Sequence, residues 1–446
     1  MKHYCSIFLI LSGFVSCTSD DLLLEETASD VEQTSTDFDL NRRSYAEVLE
    51  IARNSISMLQ AENSDTRANC PGRDLDLEDG VKVVLREHTR SGDADICPDT
   101  LLYVFNFKDN QGFSVVSTCR QTDGLIAVVE NGNYNPAEPT GNPGFDSFME
   151  MARIYVENEY EKNVFGQNSD TRSSDHPLMC KPFCDTLFYE KVSPKIGVRW
   201  GQEGRMGQFC PNGISGCANT AAAQIMSYFK YPNSISLTYP NRDANTTVLD
   251  WIAMCNHIYT YWWFNRDSAD LQIGRLARQL GVMSGSSYYD GKTGTTIDKI
   301  RNVLSSLGYQ VGTIKDINPT VSGLLEDKDM YWFASALSLN ELILMRGSNL
   351  DGIGHEWVID GCYHVKAQSG LLATYDGITW SVYQEMYTHR TCHNHINWGW
   401  DGSFNGYFNA WIYSAGKPVK YDSADNPSSH SGYIFVNKFK CFTVTK

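Results

Sequence analysis

Two side chains of this sequence are of the types that do covalent chemistry together, a cysteine at position 217 and, as one candidate among ten histidines, His355. Cys217 stands at a glycine–cysteine corner, Gly216-Cys217-Ala218-Asn219-Thr220-Ala221-Ala222-Ala223-Gln224-Ile225-Met226, which runs into a predicted helix stopped by Pro232. The alanines favour the helix, and Ala222, Ile225, Met226 and Phe229 recur on one face of it. A cysteine in the first turn meets unpaired backbone N–H groups and the positive end of the helix dipole, and both favour thiolate over thiol. Gly216 lets the backbone turn sharply and lets a second chain come close. An arbitrary cysteine is more often a small buried hydrophobe, so a nucleophile reading of Cys217 needs a partner.

That partner is a base within hydrogen-bond reach, usually an imidazole, which takes the thiol proton and later gives it to a leaving amine. Ten histidines compete. His355 lies in Gly354-His355-Glu356-Trp357-Val358-Ile359-Asp360-Gly361, where a glycine precedes it and a strand pattern follows. His389, Cys392, His393 and His395 form a rival cluster of metal-ligand types. Adjacent Cys392 and His393 point to opposite sides of a strand and no second cysteine pair lies nearby, so no metal and no cofactor is expected. A phosphate loop and a serine nucleophile elbow are both missing from the chain.

These residues need elements to hold them. Ser44 and Glu47 form a capping box ahead of a helix through Gln60. Leu101–Phe107 and Gly112–Ser117 read as a hairpin, Leu125–Val129 as a third strand, and Phe145–Asn163 as a second helix, which together make a small α+β unit. A polar, aromatic-free run from Gln167 follows and reads as an exposed linker open to cleavage. After it, helices are expected over Trp251–Phe264, Leu271–Met283 and Thr296–Leu307, with a glycine/serine loop over Ser284–Gly294. From Leu342 onward the pattern turns to strands, including Tyr433–Val436 and Phe442–Val444.

Composition narrows the partners. At 446 residues, 42% hydrophobic and 12% aromatic, the chain has room for two to three domains and enough apolar matter for sizeable cores. A formal charge of −16 argues against nucleic acid or an anionic membrane surface. Thirteen cysteines, an odd number and scattered, call for no disulfide framework, although Cys180 with Cys184 and Cys70 with Cys97 could pair locally, a pairing sequence does not assign. Met1-Lys2-His3 followed by an apolar run from Ile7 to Val15 is a secretory signal too short to span a bilayer. Phe14-Val15-Ser16-Cys17 resembles a bacterial lipobox, which makes Cys17 the lipidated residue. Thr18-Ser19-Asp20-Asp21 resembles the acidic export tag of surface lipoproteins.

Four blocks together resemble the streptopain-like cysteine peptidases, peptidase family C10. They are Trp200-Gly201-Gln202; Cys210-Pro211-Asn212 through the Cys217 helix to Pro232; Gly354 to Gly361; and His395-Ile396-Asn397-Trp398-Gly399-Trp400. The separation of 138 positions from Cys217 to His355 falls within the roughly 130–150 of papain-like enzymes, although papain's own local signature is missing. The resemblance implies a papain-like α+β fold, helical first and then β, behind an inhibitory prodomain of the Bacteroides type. The implied division is a signal peptide over 1–17, a tether over 18–43, a prodomain over 44–165, a linker with the maturation bond over 166–180 and a catalytic domain over 181–446.

It further implies a Cys217–His355 dyad, Gln202 as second oxyanion donor, Trp398 and Trp400 shielding the histidine, and substrate backbone along Gly354 and Gly216. Thr293 and Gly294 would line the specificity pocket, in a loop that departs from the family's glycine-rich form. Asn397, on the opposite strand face from Trp398, is the doubtful third catalytic residue. The expected partners are protein or peptide substrates and the chain's own prodomain, in a monomer anchored outside the cell through Cys17. Two other classes remain open: an inactive surface lipoprotein that binds glycan or host protein on the same fold, and another Cys-His hydrolase or transferase.

Overall fold

In the computed structural model, residues 41–59, 77–78, 82–85, 99–138, 140–164, 179–239, 242–256, 268–317, 327–348, 354–374, 378, 381–410, 412 and 439–446 are described. The signal, Cys17, most of the tether, the linker before Met179, Cys70, Cys97 and Tyr433–Val436 lie outside them.

The N-terminal part runs α1 (Tyr45–Leu59), β1 (Lys82–Leu85), β2 (Thr100–Asn106), β3 (Phe113–Ser117), β4 (Leu125–Val129) and α2 (Pro143–Val164). The C-terminal part opens with β5 (Met179–Val192), a single turn α3 (Gly204–Gly207), the cysteine helix α4 (Cys217–Phe229), hairpin strands β6 (Ser234–Tyr239) and β7 (Arg242–Val248), and α5 (Trp251–Asn256). Next come α6 (Ser268–Met283), β8 (Ser287–Tyr289), β9 (Lys292–Gly294), α7 (Ile297–Ser306), β10 (Gln310–Val311), β11 (Lys315–Ile317) and α8 (Asp327–Ser338). Strands β12 (Leu342–Ser348), β13 (Gly354–Thr374), β14 (Ser381–Asn397), β15 (Gly406–Asn409) and β16 (Phe439–Thr445) complete it.

Local chemistry explains the starts of these elements. The Ser44 N–H and hydroxyl donate to Glu47 Oε2 at 2.7 and 3.0 Å, closing the capping box of α1. Thr296 caps α7 by accepting from the Lys299 N–H. Asn142 Oδ1 accepts from the Gly144 and Phe145 N–H groups, which starts α2 one residue before its proline.

Among the described residues twelve strands join in one antiparallel sheet, ordered β1-β2-β3-β4-β15-β14-β13-β12-β16-β10, with β11 on β16 and β5 on β13, while β6–β7 and β8–β9 are separate two-stranded sheets. The join between the two parts is the β4–β15 pair, Val129 opposite Gly406 and Val128 opposite Tyr407. One core follows the sheet across that join, packing Phe145 and Phe148 of α2 with Trp357, Trp398 and Phe408. A second core lies on the opposite face of the C-terminal strands, where α4, α6 and α7 pack on Leu344, Val358 and Phe442. Strand β13 therefore has its odd residues Trp357 and Ile359 in the first core and Val358 in the second, as alternation requires.

Several expectations are corrected. Helix α4 has no exposed face through most of its length, being buried from Ala218 to Ser227. Its small alanine, threonine and serine side chains let neighbours approach from all sides, so the one-faced periodicity is incidental. The Ser284–Gly294 loop folds as the β8–β9 hairpin, with Ser287 opposite Gly294. Of the aromatic helix expected over Trp251–Phe264, α5 gives Trp251–Asn256, and the remainder lies outside the described residues. Strand β5 already starts at Met179, inside the expected linker, because the long β13–β14 hairpin offers it an edge from Thr374 to Cys362. Helix α8 and the β6–β7 hairpin carry no strong sequence period. No described helix is long and apolar enough to cross a membrane.

Candidate active site

Cys217 is the first residue of α4, and its N-cap Gly216 has φ 89°, a conformation open to glycine. A Cβ on Gly216 would lie 3.0 Å from Thr293 of β9, so the glycine also makes room for that neighbour. The Thr293 hydroxyl donates to the Ile214 carbonyl at 2.8 Å, and Asn212 Nδ2 donates to Thr293 Oγ1 at 3.0 Å. Gly294 follows Thr293 and is exposed. From the other side the Ser215 N–H and hydroxyl both donate to the Gln202 carbonyl, at 2.8 and 3.0 Å. Gln202, Gly216, Thr293 and Gly294 are thus gathered at the cysteine corner.

His355 is the second residue of β13, 3% exposed. Its Nε2–H donates to the main-chain carbonyl of Trp398 at 2.9 Å, which leaves Nδ1 as the proton-accepting nitrogen of the neutral ring. Burial lowers its pKa, the Trp398 hydrogen bond opposing, so the ring is neutral. The rings of Trp357, Trp398 and Trp400 surround it at centroid distances of 6.3, 6.5 and 5.9 Å. The last wall comes from the N-terminal part. A Cβ on Gly144, at the start of α2, would lie 2.5 Å from the Trp398 ring and 2.8 Å from His355 Cδ2.

Asn397 does not reach His355. Its Oδ1 accepts from Gln224 Nε2 at 2.9 Å and from the Gly399 N–H at 3.1 Å, while its Nδ2 donates to the Val198 carbonyl. It ties α4 to the tryptophan turn, and the group that orients the imidazole is the Trp398 backbone. Gly354 packs against β12, where a Cβ would lie 2.5 Å from the Gly347 carbonyl oxygen.

The expected thiolate is the clearest correction. The Cys217 pKa is raised well above the ordinary thiol value, first by burial and then by the charge of Glu356. The Cys217 thiol donates to Glu356 Oε2 at 2.7 Å, and Glu356 Oε1 pairs with Arg346 Nη1. Helix-end stabilisation of a thiolate does not prevail against a buried carboxylate in contact with the sulfur. Sequence reasoning passed over Glu356 and Arg346, although alternation from His355 already puts Glu356 on the α4 face.

A second polar centre was also missed. His395 of β14 gives Nδ1 to Asp360 Oδ1 at 2.5 Å and Nε2 to Glu130 Oε1 at 3.0 Å. Burial works against its charge, but the two carboxylates hold its pKa up at about 9. Of the rival cluster, His393 Nε2–H donates to the Leu125 carbonyl at 3.0 Å and Cys392 is buried. Among the described residues no group of three histidine, cysteine or acidic side chains could hold a metal.

Residues 189–408 match the sequence model of the Peptidase C10 family. Streptopain of Streptococcus pyogenes is 25% identical over 337 residues, covering 69% of this chain and 73% of that protein. Prointerpain A of Prevotella intermedia is similar in structure at 20% identity, over 81% of this chain and 98% of that one, with a TM-score of 0.48. The active interpain A cysteine protease of the same organism is 21% identical over 56% of this chain and 94% of its own, with a TM-score of 0.36.

Proposed function

We propose, from the premise that this chain belongs to the C10 family and is a cysteine-type endopeptidase, that it is made as a precursor whose residues 44–165 are an inhibitory prodomain. In the matured enzyme the Cys217 thiolate attacks a peptide carbonyl, and His355, its proton taken on Nδ1, protonates the leaving amine. The Cys217 backbone N–H at the start of α4 and the Gln202 amide stabilise the oxyanion. Water then hydrolyses the S-acyl enzyme. Export through the Met1–Cys17 signal, with a lipid on Cys17, places the enzyme outside the cell, where protein substrates are met.

One observation carries the zymogen reading: Gly144 of α2 lies close against the rings of His355 and Trp398. The prodomain thereby covers the histidine side of the cleft, while the thiol is hydrogen-bonded to Glu356 instead of to His355. The test is to produce the chain without residues 1–17 and follow its size and its labelling by a thiol-directed epoxide. Self-cleavage between about residue 165 and Pro194, and labelling of Cys217 after it, are expected. A precursor that processes identically with Cys217→Ser, and stays unlabelled after an added protease trims it, would sink the reading.

A further inference from the structure

The side chain in contact with the nucleophile sulfur is Glu356, and the Cys217–His355 chemistry gives it no task. Alternation along β13 sends His355 into the core shared with the N-terminal part and Glu356 to the opposite face, under the start of α4. There it is 2% exposed. An ionised carboxylate in such a place is costly unless paired, and register supplies the pair: Arg346 stands directly opposite Glu356 on β12. The guanidinium lies close over Gly354, where a Cβ would be 2.9 Å from Arg346 Nη2.

Arg346 occupies Oε1, and Oε2 accepts from the Cys217 thiol at 2.7 Å. That arrangement requires a proton on the sulfur, because a carboxylate and a thiolate at this separation repel. The groups acting on Sγ are Glu356 and Arg346; His355, on the other strand face, donates to the Trp398 carbonyl. The charged side chains of the elements flanking α4 are turned elsewhere. Asp270 pairs with Arg205, Arg278 lies over the Tyr288 ring, Arg301 donates to Gly312, and Arg275, Lys292, Asp298 and Lys299 are exposed.

We propose that Glu356, fixed by Arg346, is a positioning residue that keeps Cys217 a protonated thiol in the precursor, so that the enzyme is silenced at the proton as well as at the histidine. The proposal rests on Cys217 being the nucleophile. Activation then has two parts. The cover over His355 is removed, and the thiol proton passes from Sγ to His355 Nδ1, leaving the electron pair on sulfur. For this the sulfur must leave Glu356 Oε2, while Arg346 stays with the carboxylate.

The measurement is the pH dependence of iodoacetamide alkylation at Cys217, quantified on the Cys217 peptide by mass spectrometry. All proteins are full precursors carrying His355→Ala, so none can mature. Glu356→Gln is expected to lower the alkylation midpoint by about one pH unit or more, labelling roughly tenfold faster at neutral pH. Glu356→Asp, which keeps the charge, stays near the parent. Arg346→Gln raises the midpoint, and it decides the matter should Glu356→Gln not fold. Midpoints for Glu356→Gln equal to those of the parent, or an unchanged or lowered midpoint for Arg346→Gln, would overturn the proposal. Because the readout is alkylation and not proteolysis, such a failure leaves the peptidase reading standing, and loss of that reading is seen separately in the self-cleavage experiment.

Discussion

His355 and His395 sit at the same junction between the N-terminal and C-terminal parts, and both are almost wholly buried, yet they are in opposite charge states. His355 faces aromatic rings and one carbonyl, so burial leaves it neutral with its pKa lowered. His395 faces Asp360 of its own part and Glu130 of the N-terminal part, and its pKa is held up at about 9. Burial alone does not decide the charge; the partners do. The neutral one keeps an accepting nitrogen for chemistry. The cationic one binds two segments of the chain together.

The largest test of that difference exchanges the two losses. His355→Ala should lower kcat/KM for peptide hydrolysis by at least about 10³-fold, with little change in the melting of the full chain. His395→Ala should strand two buried carboxylates at a cost of roughly 3–5 kcal/mol, read as a lowered melting temperature. Similar thermal losses in both variants would erase the distinction.

The same pair predicts opposite pH slopes. The folded pKa of His395 lies above its ordinary 6.5, so its contribution is fully present below about pH 6.5 and is lost as pH rises through about 9. At about 1.4 kcal/mol per unit this is roughly 3 kcal/mol. His355 has a lowered folded pKa, so it costs stability as pH falls below 6.5. Denaturant unfolding of the full chain from acid to alkaline pH should show the alkaline loss, and His395→Gln should remove it while keeping the acid limb.

A smaller effect is expected from Glu130→Gln, which neutralises the carboxylate given by the N-terminal part and keeps a hydrogen-bonding side chain. About 1–3 kcal/mol should go from the hold between the parts, seen as faster proteolysis of the full chain between the two parts. Unchanged proteolysis would assign the hold to the β4–β15 pairing and the shared core instead.

What the sequence made legible follows from range. The capping box of α1, the β2–β3 hairpin, the start of α4 and the α7 cap are decided by residues a few positions apart, and they stand where local chemistry puts them. Glu356 was within reach as well, because one step along a strand reverses the face. The Glu130–His395–Asp360 centre was not: its members come from β13, β14 and the end of β4, and only the tertiary pairing of β4 with β15 brings Glu130 in. The charge state of Cys217 was misjudged for a related reason. A helix-end effect is local, whereas the carboxylate that overrides it comes from 139 residues away.

The smallest predicted change in activity concerns Asn397, the residue placed beside the histidine by analogy with papain-like sites. Its amide is taken up by Gln224, Gly399 and Val198, and His355 is oriented by a backbone carbonyl that no side-chain substitution removes. Asn397→Ala should therefore destabilise the α4 contact by about 1–3 kcal/mol while lowering kcat/KM less than about tenfold. The pH midpoint of kcat/KM should stay in place, since the imidazole keeps the partner that fixes its tautomer. A displaced midpoint would mean that Asn397 takes over from Trp398 once the N-terminal part has left, and that the two histidines differ in the precursor for a reason that maturation undoes.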